Sequence, residues 1–350
     1  MNRKVFGKTP SGKRLVRILQ SPHYKEGAFR NIEPTQVMRE GASFTRMLKN
    51  YYNKPATVKP AAVLPFVKTD LRQPAGGQPL ITWFGHSSYL IRSKNFNILI
   101  DPVFSGHASP VRFFGAAFKG ANEYTTEDLP PIDLLVITHD HYDHLDYPTV
   151  VRLFPQVKQV ITPLGVGAHL EYWGLEASKI TELDWWESTA VRTGVTITAT
   201  PARHFSGRKF VRNKTLWASF VLNLDQYRLF IGGDSGYDAQ FKLIGDTYGP
   251  FNLALLECGQ YGDDWPAIHM KPEETVQAAL DLQARALMPV HWGKFVLSLH
   301  PWNEPVKRVV KAAEKVQLPV VTVRVGGTYA VGDDVGADGW WEEDLPADIG

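Results

Sequence analysis

Thr138-His139-Asp140-His141-Tyr142-Asp143-His144-Leu145-Asp146 follows directly on the apolar run Leu134-Leu135-Val136-Ile137. That run is short, rich in branched aliphatics, and preceded by the turn-like Pro130-Pro131-Ile132-Asp133. It predicts a buried strand opening into a loop. Within the loop, His139, His141, Asp143 and His144 place four metal-competent side chains in six positions. Neutral imidazole and carboxylate suit zinc and other borderline divalent ions. A solvated polar loop accounts for two histidines by chance. It does not account for three and an aspartate at H-x-H-x-D-H spacing, at the mouth of a buried strand.

Three more positions have the same chemistry in the same kind of place. His204 ends Pro201-Ala202-Arg203-His204, after a predicted strand at 195–200. Asp234 lies in Gly232-Gly233-Asp234-Ser235-Gly236, after a predicted strand at 228–232. His291 lies in Pro289-Val290-His291-Trp292-Gly293, after a predicted strand at 286–290. Alone, a strand-end histidine packs or caps, and an aspartate among glycines makes a turn. Taken in order, they read as ligands on loops that a rigid scaffold brings to one edge.

The rest of the chain supplies that scaffold. Strands are expected at 80–84, 88–92, 97–101, 134–138, 159–162, 195–200, 216–224, 228–232, 253–257, 286–290 and 320–325. Helices are expected at 147–154, 165–173, 239–247 and 305–316. Another, from 272 to 284, has proline and acids in its first turn, as a helix start favours. A strand-rich stretch with interspersed helices therefore occurs twice. The pattern gives one main α/β or α+β domain at 76–332, after an extension at 1–75 whose only candidate helix is 43–49. Pro74-Ala75-Gly76-Gly77 is the clearest break between them.

Bulk composition excludes several classes. No apolar run approaches the roughly 20 residues of a membrane-spanning helix, and no apolar segment follows the basic N-terminus as a secretory signal would require. The single cysteine, Cys258, rules out an internal disulfide framework. It sits in an apolar run and reads as packed. Net charge is only +2, but residues 1–72 carry 15 Lys+Arg against 4 Asp+Glu, or +11. The remainder is therefore −9, and an acidic tail runs from 333 to 350. The expectation is that the arm wraps over its own acidic body, anchored by Phe29, Phe44, Tyr51 and Tyr52. An anionic membrane surface is the alternative partner. Phe113, Phe114 and Phe118, beside Arg112 and Lys119, form a loop suited either to a bilayer interface or to core packing.

With these residues in view, the chain resembles the metallo-β-lactamase-fold hydrolases. Its closer resemblance is to the branch of N-acyl-phosphatidylethanolamine-hydrolysing phospholipase D and its bacterial relatives. The strings that carry it are Trp83-Phe84-Gly85-His86-Ser87-Ser88, Asp101-Pro102-Val103-Phe104-Ser105, Ala108-Ser109-Pro110, Gly233-Asp234-Ser235-Gly236-Tyr237, Phe251-Asn252-Leu253-Ala254-Leu255-Leu256, His269-Met270-Lys271-Pro272-Glu273-Glu274 and His291-Trp292-Gly293-Lys294-Phe295. They run from about residue 80 to 328. The resemblance implies a four-layer αβ/βα sandwich. It implies two divalent ions, zinc first, with manganese, iron or cobalt open. His139, His141 and His204 would hold one ion, Asp143, His144 and His291 the second, and Asp234 would bridge them. True β-lactamases of this fold lack the bridging aspartate, which disfavours a β-lactam substrate.

The activity so implied is hydrolysis of a phosphodiester by a metal-activated water, with Asp143 and Asp234 serving catalysis through the metals. In the branch, the histidine matching His269 lies beside the reacting group. It is expected to donate to a phosphoryl oxygen or to protonate the leaving alkoxide. Asp101 and His86 are expected to orient ligand imidazoles by hydrogen bonds, and Asp140 and Asp146 either do the same or are solvated. His23, His107, His169 and His300 read as structural. The expected partner is a phospholipid or small phosphodiester, in a cytoplasmic protein that touches the inner membrane face. Nucleic acid is not expected, and a homodimer is left open. Competing readings are a lactonase or sugar-phosphate lactonase on the same fold, and an iron-dependent oxidoreductase.

Overall fold

The computed structural model describes residues 3–111, 114–334, 336 and 338–342. Arg112 and Phe113 of the aromatic loop, and the tail beyond 342, lie outside them. The N-terminal arm contains α1 (Gly12–Gln20), a hairpin of β1 (Tyr24–Lys25) and β2 (Ala28–Phe29), and α2 (Phe44–Tyr52). A first run of strands follows: β3 (Leu80–Trp83), β4 (Tyr89–Ser93), β5 (Phe96–Ile100), β6 (Ile132–Val136), β7 (Val157–Pro163) and β8 (Ile180–Leu183). Helices α3 (Tyr147–Leu153) and α4 (Gly167–Tyr172) connect the later ones.

The second run is β9 (Ser188–Arg192), β10 (Val195–Thr200), the small hairpin β11 (Gly207–Arg208) and β12 (Val211–Arg212), β13 (Ser219–Leu224), β14 (Tyr227–Ile231), β15 (Leu253–Glu257) and β16 (Leu287–Val290). It is interleaved with α5 (Gln240–Tyr248) and α6 (Pro272–Asp281), and α7 (Glu304–Lys315) comes after it. Strand β17 (Thr328–Ala330) returns to the first sheet beside β3.

The seven-stranded sheet has the order β17-β3-β4-β5-β6-β7-β8 and the six-stranded sheet β16-β15-β14-β13-β10-β9. In each, an antiparallel meander passes into parallel strands, at β5–β6–β7–β8 and at β14–β15–β16. The two sheets share one apolar layer. Along the first sheet, side chains alternate with the period of two that a strand imposes. Ile98, Ile100, Leu134 and Val136 join Ile197, Phe220 and Leu222 of the second sheet in the inner core. Leu99, Leu135, Ile137 and Val160 face the other way, onto Val150, Leu153 and Leu170 of α3 and α4. Helices cover the outer faces, and the fold is the αβ/βα sandwich of the metallo-β-lactamase type. Among the described residues, no helix is long and apolar enough to cross a membrane.

Expectations change in several places: β8, β9, the β11–β12 hairpin and β17 were not expected, and the strand expected at 216–224 begins at Ser219. The segment 320–325 is not a strand. Val320 bridges Leu287 at the edge of one sheet, Val325 bridges Phe66, and the chain then reaches β3 of the other sheet. A segment crossing between sheets cannot pair continuously with either. Helix α6 stops at Asp281 because Gln283 adopts the left-handed conformation, φ 55°, which ends a helix. The arm is more structured than its turn-rich sequence indicates, since α1 and the β1–β2 hairpin were not expected there.

The arm's cations meet acids of the body: Arg14 with Glu171 and Glu182, Arg17 with Glu187, Arg39 and Arg46 with Asp264, and Lys68 with Asp128. Apart from the largely buried Arg14–Glu182 pair, these are surface pairs and individually weak. The firmer attachment is apolar, through fully buried Ile18, Phe29 and Leu64 in the inner core. Of the other expected anchors, Tyr51 stacks on Phe114 with ring centres 4.8 Å apart, while Tyr52 is exposed and the side chain of Phe44 lies outside the description.

At the other end, Trp340 and Trp341 enter the inner core from within the acidic tail. Trp340 stacks on Trp292 at 5.4 Å, and Trp292 in turn on Trp83 at 5.2 Å. Trp340→Ala should therefore destabilise the protein by about 3–5 kcal/mol in urea denaturation. A change below about 0.5 kcal/mol would mean that this stack contributes nothing to the fold.

Candidate metal centre

Every expected ligand lies just beyond a strand end, on the same edge of the sandwich. β6 feeds the loop of His139 to His144, β10 leads to His204, β14 to Asp234 and β16 to His291. Two further strand ends join them: β3 leads to His86 and β5 to Asp101. His86, Asp101 and His291 all have positive φ, at 55°, 39° and 67°. This region disfavours residues with a Cβ, and each such residue costs on the order of 1 kcal/mol or more. Gly233, at φ +60°, lets the Asp234 loop approach closely, since a Cβ there would sit 3.0 Å from Thr138 Cβ.

Hydrogen bonds fix how the imidazoles present themselves. His144 Nδ1 donates to Asp101 Oδ2 at 2.8 Å, and His204 Nδ1 donates to the Ile268 carbonyl at 2.9 Å. The Thr138 hydroxyl donates to Asp101 Oδ2 at 2.6 Å, which leaves its oxygen to accept from His139 Nδ1 at 3.0 Å. All three rings therefore turn Nε2 inward, and His139 and His204 present a lone pair there. Those Nε2 atoms lie 3.7 Å (His139), 3.2 Å (His144) and 3.7 Å (His204) from Asp234 Oδ2. Nitrogen lone pairs facing a carboxylate in a buried space repel unless a cation lies among them.

The remaining geometry makes the same demand. His141 Nδ1 is 2.9 Å from His139 Nε2 and 3.2 Å from His204 Nε2, and one hydrogen cannot satisfy both contacts. His144 Nε2, Asp234 Oδ1, His291 Nε2 and His86 Nδ1 are buried without a hydrogen-bond partner. Burial pushes the pKa values of His139, His204 and His291 well below the ordinary imidazole value. Burial would raise Asp234, but the surrounding imidazoles, His144 first, hold it well below the ordinary carboxylate value. Neutral imidazoles and ionised carboxylates are what metal binding needs. His144 runs the other way: burial lowers it, but Asp234 and Asp143 outweigh that and raise it well above the ordinary value. A positive charge is called for at this point.

Two groups of donors have atoms within 4.8 Å of one another, His139, His141, His204 and Asp234, and His86, Asp143, His144 and His291; a third, Asp234, Glu257, His269 and His291, shares one member with each. The structure brings together all seven residues expected as ligands. His86, expected to orient a ligand imidazole, instead donates from Nε2 to the carboxylate of Asp143 at 2.9 Å, with its ring 4.0 Å from that of His291. Asp101 touches the imidazole of His144, as expected of an orienting group.

Asp140 and Asp146 are buried, not solvated. Asp140 accepts from Gly207 N, Thr215 Oγ1 and His169, and Asp146 accepts from Ser105 N and Thr149. Neither hydrogen-bonds to an imidazole of the two groups. His169, read as structural, belongs to that network.

Glu257 was not anticipated. It ends β15 fully buried, accepts from Ser235 N at 2.6 Å and faces His269 Nδ1 at 2.8 Å. The available signal was a lone acid closing the apolar run Leu253-Ala254-Leu255-Leu256. Burial pushes Glu257 up to about 7 against the pull of His269. Burial lowers His269, but the Glu257 charge outweighs it and lifts the imidazole to about 9. Near neutral pH the proton therefore sits on His269.

His269 lines an open pocket with His141, Asp143, His204, Asp234 and His291, walled by Met47, Trp265 and Leu297. Those three wall residues also line an adjoining cleft of about 320 Å³ with Leu48, Tyr51, Phe114 and Leu299. The aromatic loop thus contributes Phe114 to the cleft, while Phe118 packs in the core.

Comparison with known proteins agrees with this geometry. Residues 96–292 match the family model described as a beta-lactamase superfamily domain. An uncharacterised protein of Mycobacterium tuberculosis is 40% identical over 327 residues, covering 92% of this chain and 88% of that protein. The N-acyl-phosphatidylethanolamine-hydrolyzing phospholipase D 1 of Caenorhabditis elegans is 34% identical over 272 residues, covering 72% of this chain and 76% of that protein. Among solved structures, Igni18, a metallo hydrolase from Ignicoccus hospitalis, shares the fold with a TM-score of 0.57 at 22% identity, covering 73% of this chain and all of that one. The chain belongs to the beta-lactamase superfamily, as a metal-dependent hydrolase in the metallo-β-lactamase-fold branch that includes the N-acyl-phosphatidylethanolamine-hydrolysing phospholipases D.

Proposed function

We propose that the protein is a binuclear phosphodiesterase of phospholipase D type, acting on N-acyl-phosphatidylethanolamine-like lipids, with zinc as the expected metal. The observation that carries this reading is the continuity of two spaces. A pocket rich in metal-competent donors shares Met47, Trp265 and Leu297 with an apolar cleft beside it. A polar head at the donors and an acyl chain along the cleft is the division of chemistry that a lipid diester needs. The relatives named for this activity support it.

His139, His141 and His204 would hold one ion, Asp143, His144 and His291 the other, with Asp234 between. When bound, two divalent ions supply Lewis-acid charge for the phosphoryl oxygens and lower the pKa of a water towards neutrality. The chain's own groups do the rest. Asp101 and Thr138 hold the ligand rings in one tautomer. Glu257 binds Nδ1 of His269 and keeps that imidazole protonated. His269 then protonates the alkoxide that leaves phosphorus. Trp265, Met47 and Leu297 give the pocket an apolar wall beside His269.

The first test is incubation of the zinc-loaded protein with N-acyl-phosphatidylethanolamine micelles in ¹⁸O-water, followed by mass spectrometry. Phosphatidic acid carrying one ¹⁸O, with unlabelled N-acylethanolamine, is expected from the parent. Asp234→Asn should cut turnover by more than about 100-fold and weaken metal retention. No phosphatidic acid from the parent would remove the lipid substrate, and near-parental rates in the variant would remove Asp234 from between the metals. His269→Ala should lose about 10²–10⁴ in turnover with metal content unchanged. Metal loss instead would make His269 a ligand.

The pH profile tests Glu257. A general acid works only while protonated, so the rate falls as pH rises through its pKa. Removing the Glu257 charge lowers the His269 pKa, so in Glu257→Gln the alkaline fall should begin at lower pH. An unshifted alkaline limb would separate Glu257 from the reaction.

A further inference from the structure

The loop that carries four of the expected ligands is held from behind by the first residues of the chain. Arg208 is fully buried and has no carboxylate partner among its hydrogen bonds. Its Nη1 donates to the carbonyls of Asp140 at 2.8 Å and Leu145 at 2.9 Å, one near each end of the loop. Its Nε and Nη2 donate to the carbonyl of Val5 at 3.1 and 2.6 Å. The guanidinium lies over the rings of Tyr142, at 4.1 Å, and Trp173, at 5.2 Å. Trp173 in turn donates from Nε1 to the Lys4 carbonyl at 2.7 Å.

A second connection runs through His169. The backbone N–H of Lys8 donates to His169 Nδ1 at 3.0 Å. A backbone amide can only donate, so Nδ1 is the acceptor and the ring hydrogen is on Nε2. Nε2 lies 3.2 Å from Asp140 Oδ2 and donates to it. Asp140 stands between His139 and His141, and its other contacts, Gly207 N at 2.7 Å and Thr215 Oγ1 at 2.9 Å, complete its shell. Gly7 makes the approach possible: it has φ +65°, and a Cβ there would lie 2.0 Å from His169 Nδ1.

We propose that residues 5–8 are a strap belonging to the metal site, with Arg208 and His169 as positioning residues that transmit it to the loop of His139, His141, Asp143 and His144. The inference rests on the metal-binding reading of that loop. Its energetic basis is preorganisation. A six-residue segment with four donors, His139 and His144 of them buried, is costly to hold in one geometry, and partners behind the ligands typically change metal affinity by about 10–100-fold. The strap is therefore required for tight metal binding and not only for covering the core.

The test uses the full-length protein and Co²⁺ as the probe, read by visible absorption and by competition with a chelator. Four proteins are compared below their apo melting transitions: the parent, Gly7→Ala, His169→Ala and His169→Gln. Gly7→Ala changes no atom of the loop, of Arg208 or of His169. It and His169→Ala should weaken Co²⁺ binding about 10–100-fold and alter the absorption band. His169→Gln, whose amide N–H can still donate to Asp140, should fall closer to the parent. Parental affinity and spectrum in both Gly7→Ala and His169→Ala would overturn the proposal, even if their apo forms melt earlier, because the strap would then be structural alone. A parent that binds no Co²⁺ would instead overturn the metal-binding reading, and the strap's role with it.

Discussion

The carboxylate of Asp101 is the constraint on which the candidate metal centre is built. It lies fully buried at the end of β5 and accepts from Thr138 N at 2.8 Å, Thr138 Oγ1 at 2.6 Å and His144 Nδ1 at 2.8 Å. These bonds tie the exits of two adjacent parallel strands and, through Thr138, set the tautomer of His139 as well as that of His144. Burial pushes the Asp101 pKa up, while His144 and Thr138 pull against it. The anion is thus kept in an apolar setting by its own hydrogen-bond donors. A buried acceptor without those donors would be expensive, so the loop's geometry and the burial of Asp101 depend on each other.

The sheets make such a centre tolerable. His86, Asp101 and His291 each adopt a left-handed backbone at a strand exit. They hold it because the strands behind them are locked by the inner core and by direct links between loops. His86 N donates to the Trp292 carbonyl, and His291 N to the His86 carbonyl. The exits of β3 and β16, which belong to different sheets, are thereby stitched together across the sandwich. Strain at three positions is offset by packing elsewhere, as functional sites commonly require.

The central fold, and the gathering of the metal-competent side chains at one edge, were legible in the sequence because both obey short rules. Apolar runs of four or five residues bounded by turn formers gave β5, β6, β14 and β15, and each expected ligand stood just past such a run. What the sequence hid depends on distance. The strand expected at 320–325 has the right composition, but the chain there crosses between sheets. Glu257 reads as one acid after an apolar run until His269, 12 residues on, is folded against it. His169 and Arg208 lack any local motif, because their partners come from the first eight residues and from the loop around Asp140.

The N-terminal arm shows why charge alone was an incomplete guide. Counting charges presents it as a basic wrap over an acidic body, and its ion pairs are of that kind. Surface ion pairs of this sort position little. The arm's uncharged residues reach further: Val37, Met38 and Met47 form part of the pocket wall beside His269, and Leu48 and Tyr51 line the adjoining cleft. The two sheets deliver the metal donors but little of the surface a substrate's apolar portion would touch. The walls of the two spaces come instead from the arm, from the loop around Phe114 and from Trp265, Leu297 and Leu299 of the body. Chains that share the sandwich and the H-x-H-x-D-H loop can differ in substrate through such wall residues, without moving a single metal-competent donor.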